Sequence, residues 1–390
     1  MELTANWNYP TAVKFGVGRI NELADHCRAA GIMRPLLVTD PGLAALPMIA
    51  DAVAANTDAG LATAVFSDIQ PNPVNANVEA GVAVFKAGGH DGVIAWGGGS
   101  AMDAAKAIAF MAGQRRPIWD FEDVGDNWTR ADADAIFPVI AVPTTSGTGS
   151  EVGRAAVITN TETHTKIIVF HPKMMPVTVI CDPALVAGLP AHLTAWTGMD
   201  ALAHCLEAYC APGYHPLADG IAVEGLRLIK EWLPRAVAEG SDLEARAHMM
   251  SAAAMGAAAF QKGLGAIHSL SHPVGSVYGA HHGRANAVFT PYVLAFNKPA
   301  VADKLDRLAR WLGLGGGNAG SGFDAVLQWT IDLRAEFEIP HTCDALGVKP
   351  EDLDMLARMA ALDPTAGCNP RPAGEAEMRA LYDAAMAGTV

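Results

Sequence analysis

The chain has 390 residues, 51% of them apolar and 17% charged, which excludes an intrinsically disordered protein and leaves room for two sizeable cores. Its 27 Lys+Arg against 41 Asp+Glu give a formal charge of −14, so neither nucleic acid nor an anionic membrane is expected as a partner. The opening MELTANWNYP has no basic stretch followed by an apolar run, and the longest small-apolar run, residues 251–260, is well short of the roughly 20 residues of a membrane span. Cys27, Cys181, Cys205, Cys210, Cys343 and Cys368 show no CxxC spacing and read as reduced thiols of a cytoplasmic protein.

The first half alternates short β-rich runs with amphipathic stretches. Strands are predicted at residues 36–40, 62–66, 92–96, 139–142 and 177–181, with helices at 19–30, 41–56, 74–87 and 101–112. That rhythm implies a parallel sheet covered by helices. Two further strands, 155–159 and 166–170, are joined by the polar NTETHT. Beyond Cys181 the β-branched runs disappear. Helices are predicted at 195–211, 217–238, 243–260, 299–312, 323–337, 350–361 and 373–386, with the glycine-rich 313–322 as a turn. The predicted division is an α/β domain over residues 1–185 and an all-helical domain over 186–390.

Two loops of the first domain carry chemistry. In GVIAWGGGSAMDAAK a buried strand meets Gly97, Gly98 and Gly99, then Ser100 as a natural N-cap, then a helix. Glycines admit a ligand close to the backbone, and the helix N-terminus attracts a pyrophosphate, although the spacing is not GxGxxG. AVPTTSGTGSEV follows a second strand and is crowded with hydroxyls, so two polar loops are expected at one edge of the sheet. Asp40, ending LLVTD, suits either a ribose hydroxyl or the N-cap of the next helix.

The second domain concentrates histidine. Seven of the 13 fall between His204 and His282. Asp200 and His204 share a helix face, His268 and His272 repeat the same spacing, and His281 and His282 follow. Buried without partners, such groups would each cost about 1–3 kcal/mol. One carboxylate and three imidazoles suit Fe²⁺ or Zn²⁺ and are too nitrogen-rich for Mg²⁺ or Ca²⁺. His215 and His248 have no such neighbours and read as ordinary residues. A dinucleotide site and a metal in one chain point to hydride transfer.

Taken together, GGGSAMDAAK, PTTSGTGSEV, GMDALAHCLEAY and GLGAIHSLSHPVGSVYGAHHGRAN resemble the iron-containing (group III) alcohol dehydrogenase family over nearly the whole chain. The resemblance implies a Rossmann-like domain followed by an all-helical one, a dehydroquinate synthase-like architecture with the active site in the cleft between. It implies metal ligation by Asp200, His204, His268 and His282. His272 becomes a proton-relay or substrate-orienting residue, and Asp103 lies close to the nicotinamide. The cofactor positions become Asp40, Asn72, Gly97, Gly98, Gly99, Ser100, Asp103, Thr144, Thr145, Thr148, Ser150 and Lys166, with Asp40 favouring NAD over NADP.

Three residues depart from the family pattern. His281 stands where many relatives have proline and is either an alternative ligand or a surface residue. Trp96 is bulky for a strand end before a glycine loop. Lys262, in FQKGLG, favours an anionic substrate such as a short ω-hydroxy acid if turned inward and is otherwise a surface lysine.

The expected activity is metal-dependent, NAD-linked interconversion of a small alcohol and its aldehyde or ketone, by a cytoplasmic homo-oligomer, a dimer or larger. A fold-related glycerol-phosphate dehydrogenase or sugar-phosphate cyclase would need a Lys/Arg cluster for phosphate, which the histidine segment lacks. A non-catalytic metal-binding protein would not need two intact cofactor loops.

Overall fold

A computed structural model describes residues 11–163, 165–315 and 320–390. The opening ten residues, His164 of the NTETHT turn and the middle of the glycine-rich turn lie outside the described residues. Contacts cluster into two units, residues 11–189 with Ser241–Met250, and Pro190–Gly240 with Ser251–Val390.

The first unit carries strands β1 (Ala12–Phe15), β2 (Pro35–Val38), β3 (Ala64–Phe66), β4 (Gly92–Gly97), β5 (Val139–Pro143), β6 (Ala155–Asn160), β7 (Thr165–Phe170) and β8 (Thr178–Cys181). Among the described residues, six form a sheet in the order β1-β8-β5-β4-β2-β3, with every neighbouring pair parallel. β6 and β7 pair antiparallel as a separate ribbon. β2, β4 and β5 are buried along their whole length, which is why PLLV, GVIAWG and VIAVP read as unbroken apolar runs. Trp96 is no obstacle at the strand end. It is fully buried in a cluster with Leu37, Ile94, Ile140, Val142 and Ile180.

The helices of this unit are α1 (Leu23–Ala29), α2 (Pro41–Ala44), α3 (Pro47–Asp58), α4 (Asn75–Gly88) and α5 (Gly99–Met111). The helix expected over 41–56 is two helices, because Leu46 precedes Pro47 and takes an extended backbone. β1 was not anticipated: AVKF is four residues long and largely exposed, too short to show a period. Ser100 is not an N-cap. α5 begins one residue earlier, at Gly99, and its N-cap Gly98 supplies no side-chain acceptor.

Inside this unit α5 is bolted to the hydroxyl-rich segment by a buried ammonium. Lys106 Nζ donates to Ser150 O at 3.0 Å and to Ala155 O, and lies 3.3 Å from Asp103 Oδ1. Burial pulls the Lys106 pKa down, while Asp103 and Glu151 pull it back. Burial pushes the Glu151 carboxyl up to about 7 from 4.5, against the pull of a backbone hydrogen bond and Lys106. The folded value lies above the unfolded one, so this group's stabilising contribution is full below about pH 4.5 and is lost as pH rises through 7. Unfolding by denaturant should therefore show stability falling between pH 5 and 8 by as much as about 3 kcal/mol. Glu151→Gln should flatten that slope, and an unchanged slope would remove Glu151 as its source.

The second unit is helical, with α6 (Ala191–Cys210), α7 (Pro216–Ala238), α8 (Leu243–Ala259, its first part clustering with the other unit), α9 (Ala266–Tyr278), α10 (His282–Trp311), α11 (Phe323–Glu336), α12 (Leu353–Leu362) and α13 (Glu375–Ala387). α6 and α7 lie close at Gly198, where an added Cβ would stand 2.2 Å from Leu233 Cδ1. α9 and the first half of α10 were not among the predicted helices. Pro273, Pro291 and Pro299, of a residue type that ordinarily breaks a helix, each sit inside one.

Candidate metal centre and cofactor loops

α6 places Asp200 and His204 one turn apart, α9 brings His268, and α10 starts at His282. Asp200, His204 and His268 are at most 5% exposed. From each of the four residues one ligand atom falls within 4.8 Å of all the others. Asp200 Oδ1 lies 3.7 Å from His204 Nε2, 3.9 Å from His268 Nε2 and 3.4 Å from His282 Nε2. Bonds of about 2.1 Å at tetrahedral angles would set donor atoms about 3.4 Å apart, so the spacing suits a cation at the centre better than hydrogen bonds between ligands. The electrostatics agree with the geometry. Burial disfavours charge on His268, yet Glu207, Asp200 and Asp363 outweigh it and hold its pKa above the ordinary imidazole value. The pocket attracts positive charge, and the residues fit a divalent metal.

Around this cluster stand three residues that the sequence reading missed. Glu207, one turn beyond His204, meets His268 Nδ1 at 2.5 Å. Asn286 directs Nδ2 to Asp200 Oδ1 at 2.7 Å, with Nε2 of His282 and His268 at 3.2 and 3.3 Å. Asp363 Oδ2 holds His272 Nδ1 at 2.8 Å. Burial alone would raise the Asp363 carboxyl, but His272 and two hydrogen bonds from Thr365 bring it down to about 2. Spacing could have found only the first of these, since Asp200, His204 and Glu207 recur at helical intervals. Asp363 is 91 residues from His272 and gives no local signal.

His272 stacks on His282 at 5.3 Å between ring centroids, beside the cluster and outside the four-residue set. His281 also stands outside that set, packing on Trp196 with centroids 5.1 Å apart. His215 caps α7, its Nδ1 accepting from Ala218 N. Lys262 is neither an inward anion anchor nor a surface lysine. Its side chain is 2% exposed and is committed to Asp219 Oδ1 at 2.5 Å and Tyr209 O at 3.3 Å.

In the first unit Gly97 pairs with Pro143, so the loops after β4 and β5 leave the sheet side by side. Gly97 has φ 147°, a conformation that favours glycine, and a Cβ there would meet Ala101 Cβ at 2.8 Å. Added Cβ atoms at Gly98 and Gly99 would press on Thr145 at 3.1 Å and on Thr148 at 2.6 Å. Thr144 N donates to Gly97 O. The uncapped N-terminus of α5 leaves its backbone N–H groups to a ligand, and the bare backbone beside it is the cradle a pyrophosphate needs.

Asp103 ties the protein together. Its oxygens accept from Ser150 Oγ at 2.5 Å and Val157 N at 2.9 Å, an arrangement that pins the second loop to α5. Asp40 does cap α2, with Oδ1 accepting from Leu43 N at 3.0 Å, while Oδ2 lies 3.7 Å from where a Gly97 Cβ would stand. Asn72, at φ 55°, precedes Pro73, whose carbonyl binds Thr159 N. Thr159 is in register with Lys166, so this ribbon gathers both positions near one another.

Comparison with known proteins covers nearly the whole chain. Residues 10–183 match the iron-containing alcohol dehydrogenase family, and residues 194–386 match the C-terminal part of the Fe-containing alcohol dehydrogenase family. The 4-hydroxybutyrate dehydrogenase of Cupriavidus necator is 39% identical, over 97% of this chain and 99% of its own. The NAD-dependent methanol dehydrogenase of Bacillus methanolicus is 38% identical, over 94% and 96%. Among solved structures, a 1,3-propanediol oxidoreductase superposes with a TM-score of 0.91 at 35% identity, covering 98% of this chain and all of its own. The sulfoacetaldehyde reductase of Bifidobacterium kashiwanohense, solved with NAD⁺, gives 0.87 at 29% identity, over 98% and 99%.

Proposed function

From the premise that the chain belongs to the iron-containing alcohol dehydrogenase family, we propose that it interconverts a small alcohol and its aldehyde or ketone, with NAD as hydride carrier and a divalent metal held by Asp200, His204, His268 and His282. The observation that carries this reading is the buried carboxylate ringed by three imidazole nitrogens at 3.4–3.9 Å. A cation there, Fe²⁺ or Zn²⁺, supplies Lewis acidity toward the substrate oxygen. His272, with Nδ1 tied to ionised Asp363, has its other ring nitrogen to take up or release the alcohol proton.

The Gly97–Gly98–Gly99 turn and the α5 N-terminus bind the pyrophosphate, and Ser100, Thr144, Thr145, Thr148 and Ser150 line the rest of the cofactor. Asp40 Oδ2 takes a ribose hydroxyl and disfavours the 2′-phosphate of NADP. Asp103 acts by holding Ser150 in place rather than on the nicotinamide. Asn72 and Lys166 contact the cofactor from the β6–β7 side. Residues 1–185 and 186–390 serve as the cofactor and metal halves.

Short alcohols, diols and ω-hydroxy acids are the substrates to test. The last are supported by the 4-hydroxybutyrate dehydrogenase relative. They gain nothing from Lys262, whose charge is taken by Asp219. An NADH-coupled absorbance screen on protein of measured metal content tests the reading. Turnover that rises with bound Fe²⁺ or Zn²⁺ is expected, and full turnover by metal-free protein would refute it.

A homo-oligomer in the cytoplasm completes the proposal. No helix among the described residues is long and apolar enough to cross a membrane, and all six cysteines are free thiols. β1 is an edge strand among the described residues, and it exposes Val13 and Phe15 beside Val177. Charging that edge with Val13→Lys and Phe15→Lys should lower the mass measured by light scattering. An unchanged mass would move the interface elsewhere.

A further inference from the structure

We infer that Glu207 is a positioning residue that selects the metal-binding tautomer of His268; the inference rests on the proposed metal reading. Glu207 is 6% exposed and divides its two oxygens between two donors. Oε1 accepts from Ile267 N at 2.7 Å, and Oε2 accepts from His268 Nδ1 at 2.5 Å. The neighbouring amide, Ala266 N, is taken by Asn369 Oδ1 at 3.1 Å. The N-cap of α9, Gly265, has no side chain to offer, and the opening amides of the helix are held instead by Glu207 from α6 and by Asn369. Glu207 thus fixes both the backbone that carries His268 and the ring itself.

The chemical consequence concerns which nitrogen carries the proton. A carboxylate only accepts, so the proton of neutral His268 must sit on Nδ1. Nε2, which faces Asp200, then keeps its lone pair for a cation. Asp200, His204 and Glu207 all ride on α6, so one rigid helix carries two ligands and the group that orients a third.

Glu207→Gln separates this role from simple capping. An amide has one accepting and one donating end, so it cannot accept from both Ile267 N and His268 Nδ1. With the oxygen on Ile267 N, its NH₂ faces Nδ1 and drives the ring proton to Nε2, where it blocks ligation. The test is the Zn²⁺ dissociation constant of wild-type and Glu207→Gln chains, by competition with a chelator, beside the melting temperature of the metal-free proteins. We expect Zn²⁺ binding to weaken about 10- to 100-fold in the variant, as for other outer groups of metal sites.

A cap alone would lower the melting temperature and leave the constant within twofold of wild type, which would overturn the inference. Wild-type protein that fails to bind Zn²⁺ would overturn the metal reading and this inference with it. Nitrogen NMR of histidine-labelled, metal-free wild type reads the same point without a variant. Read at a pH where the ring is neutral, a His268 proton on Nδ1 supports the assignment, and a proton on Nε2 in its place overturns it.

Discussion

His268→Ala should lose metal and turnover together while remaining folded. The ring is 1% exposed and supplies one of four clustered ligand atoms, so alanine leaves three ligands and a void at the centre. It also leaves Glu207 Oε2 buried without its imidazole partner, a cost of about 1–3 kcal/mol. That cost falls within the reserve of a chain this size, so soluble protein is expected. Activity has no such reserve. If the metal supplies several kcal/mol of charge stabilisation, its loss lowers kcat by about a thousandfold or more, at 1.36 kcal/mol per decade. Elemental analysis of purified protein and the NADH assay check the two losses side by side. A variant without metal but with wild-type turnover would sink the mechanism.

Gly99→Val should strike the other half of the reaction and leave the metal untouched. An added Cβ at Gly99 would stand 2.6 Å from Thr148 Cγ2 and 3.1 Å from its Cβ, and valine adds two methyls beyond that. Either α5 shifts or the Thr148 loop retreats, and the backbone cradle widens in both cases. A rise of about 100-fold in the KM for NAD is expected, equivalent to about 2.7 kcal/mol. Metal content should match wild type. Unchanged KM with an unchanged melting temperature would show that the pair of loops does not hold the dinucleotide.

Much of this was legible in the residues, and the reasons differ from place to place. The buried runs at β2, β4 and β5 announced a parallel sheet because burial on both faces leaves no polar alternation. The Asp200–His204 and His268–His272 spacings announced helix faces. Helix α9 and the first half of α10 carry Pro273 and Pro291, which neighbouring buried helices tolerate where an isolated segment would break. Lys262 illustrates a charge whose meaning depends on a partner 43 residues away. The outer groups around the metal cluster were hidden for the same reason: Asp363 and Asn369 carry no spacing signal and acquire their roles only through packing. Asp103 acquires partners that no spacing announces, since its two oxygens accept from Ser150 and Val157, 47 and 54 residues away.

The four clustered ligand atoms sit on helices whose packing is secured by their apolar faces, with Gly198 admitting Leu233 and Gly283 pressed against the Trp196 carbonyl. We expect such a frame to form without the ion. An ion removed by chelation should then be replaceable without refolding, seen as Zn²⁺ restoring turnover to stripped protein with no denaturation step. Which ion occupies the site then follows the free concentrations that each metal reaches in the surroundings. The same polypeptide would then be expected to serve as an iron or a zinc enzyme according to supply.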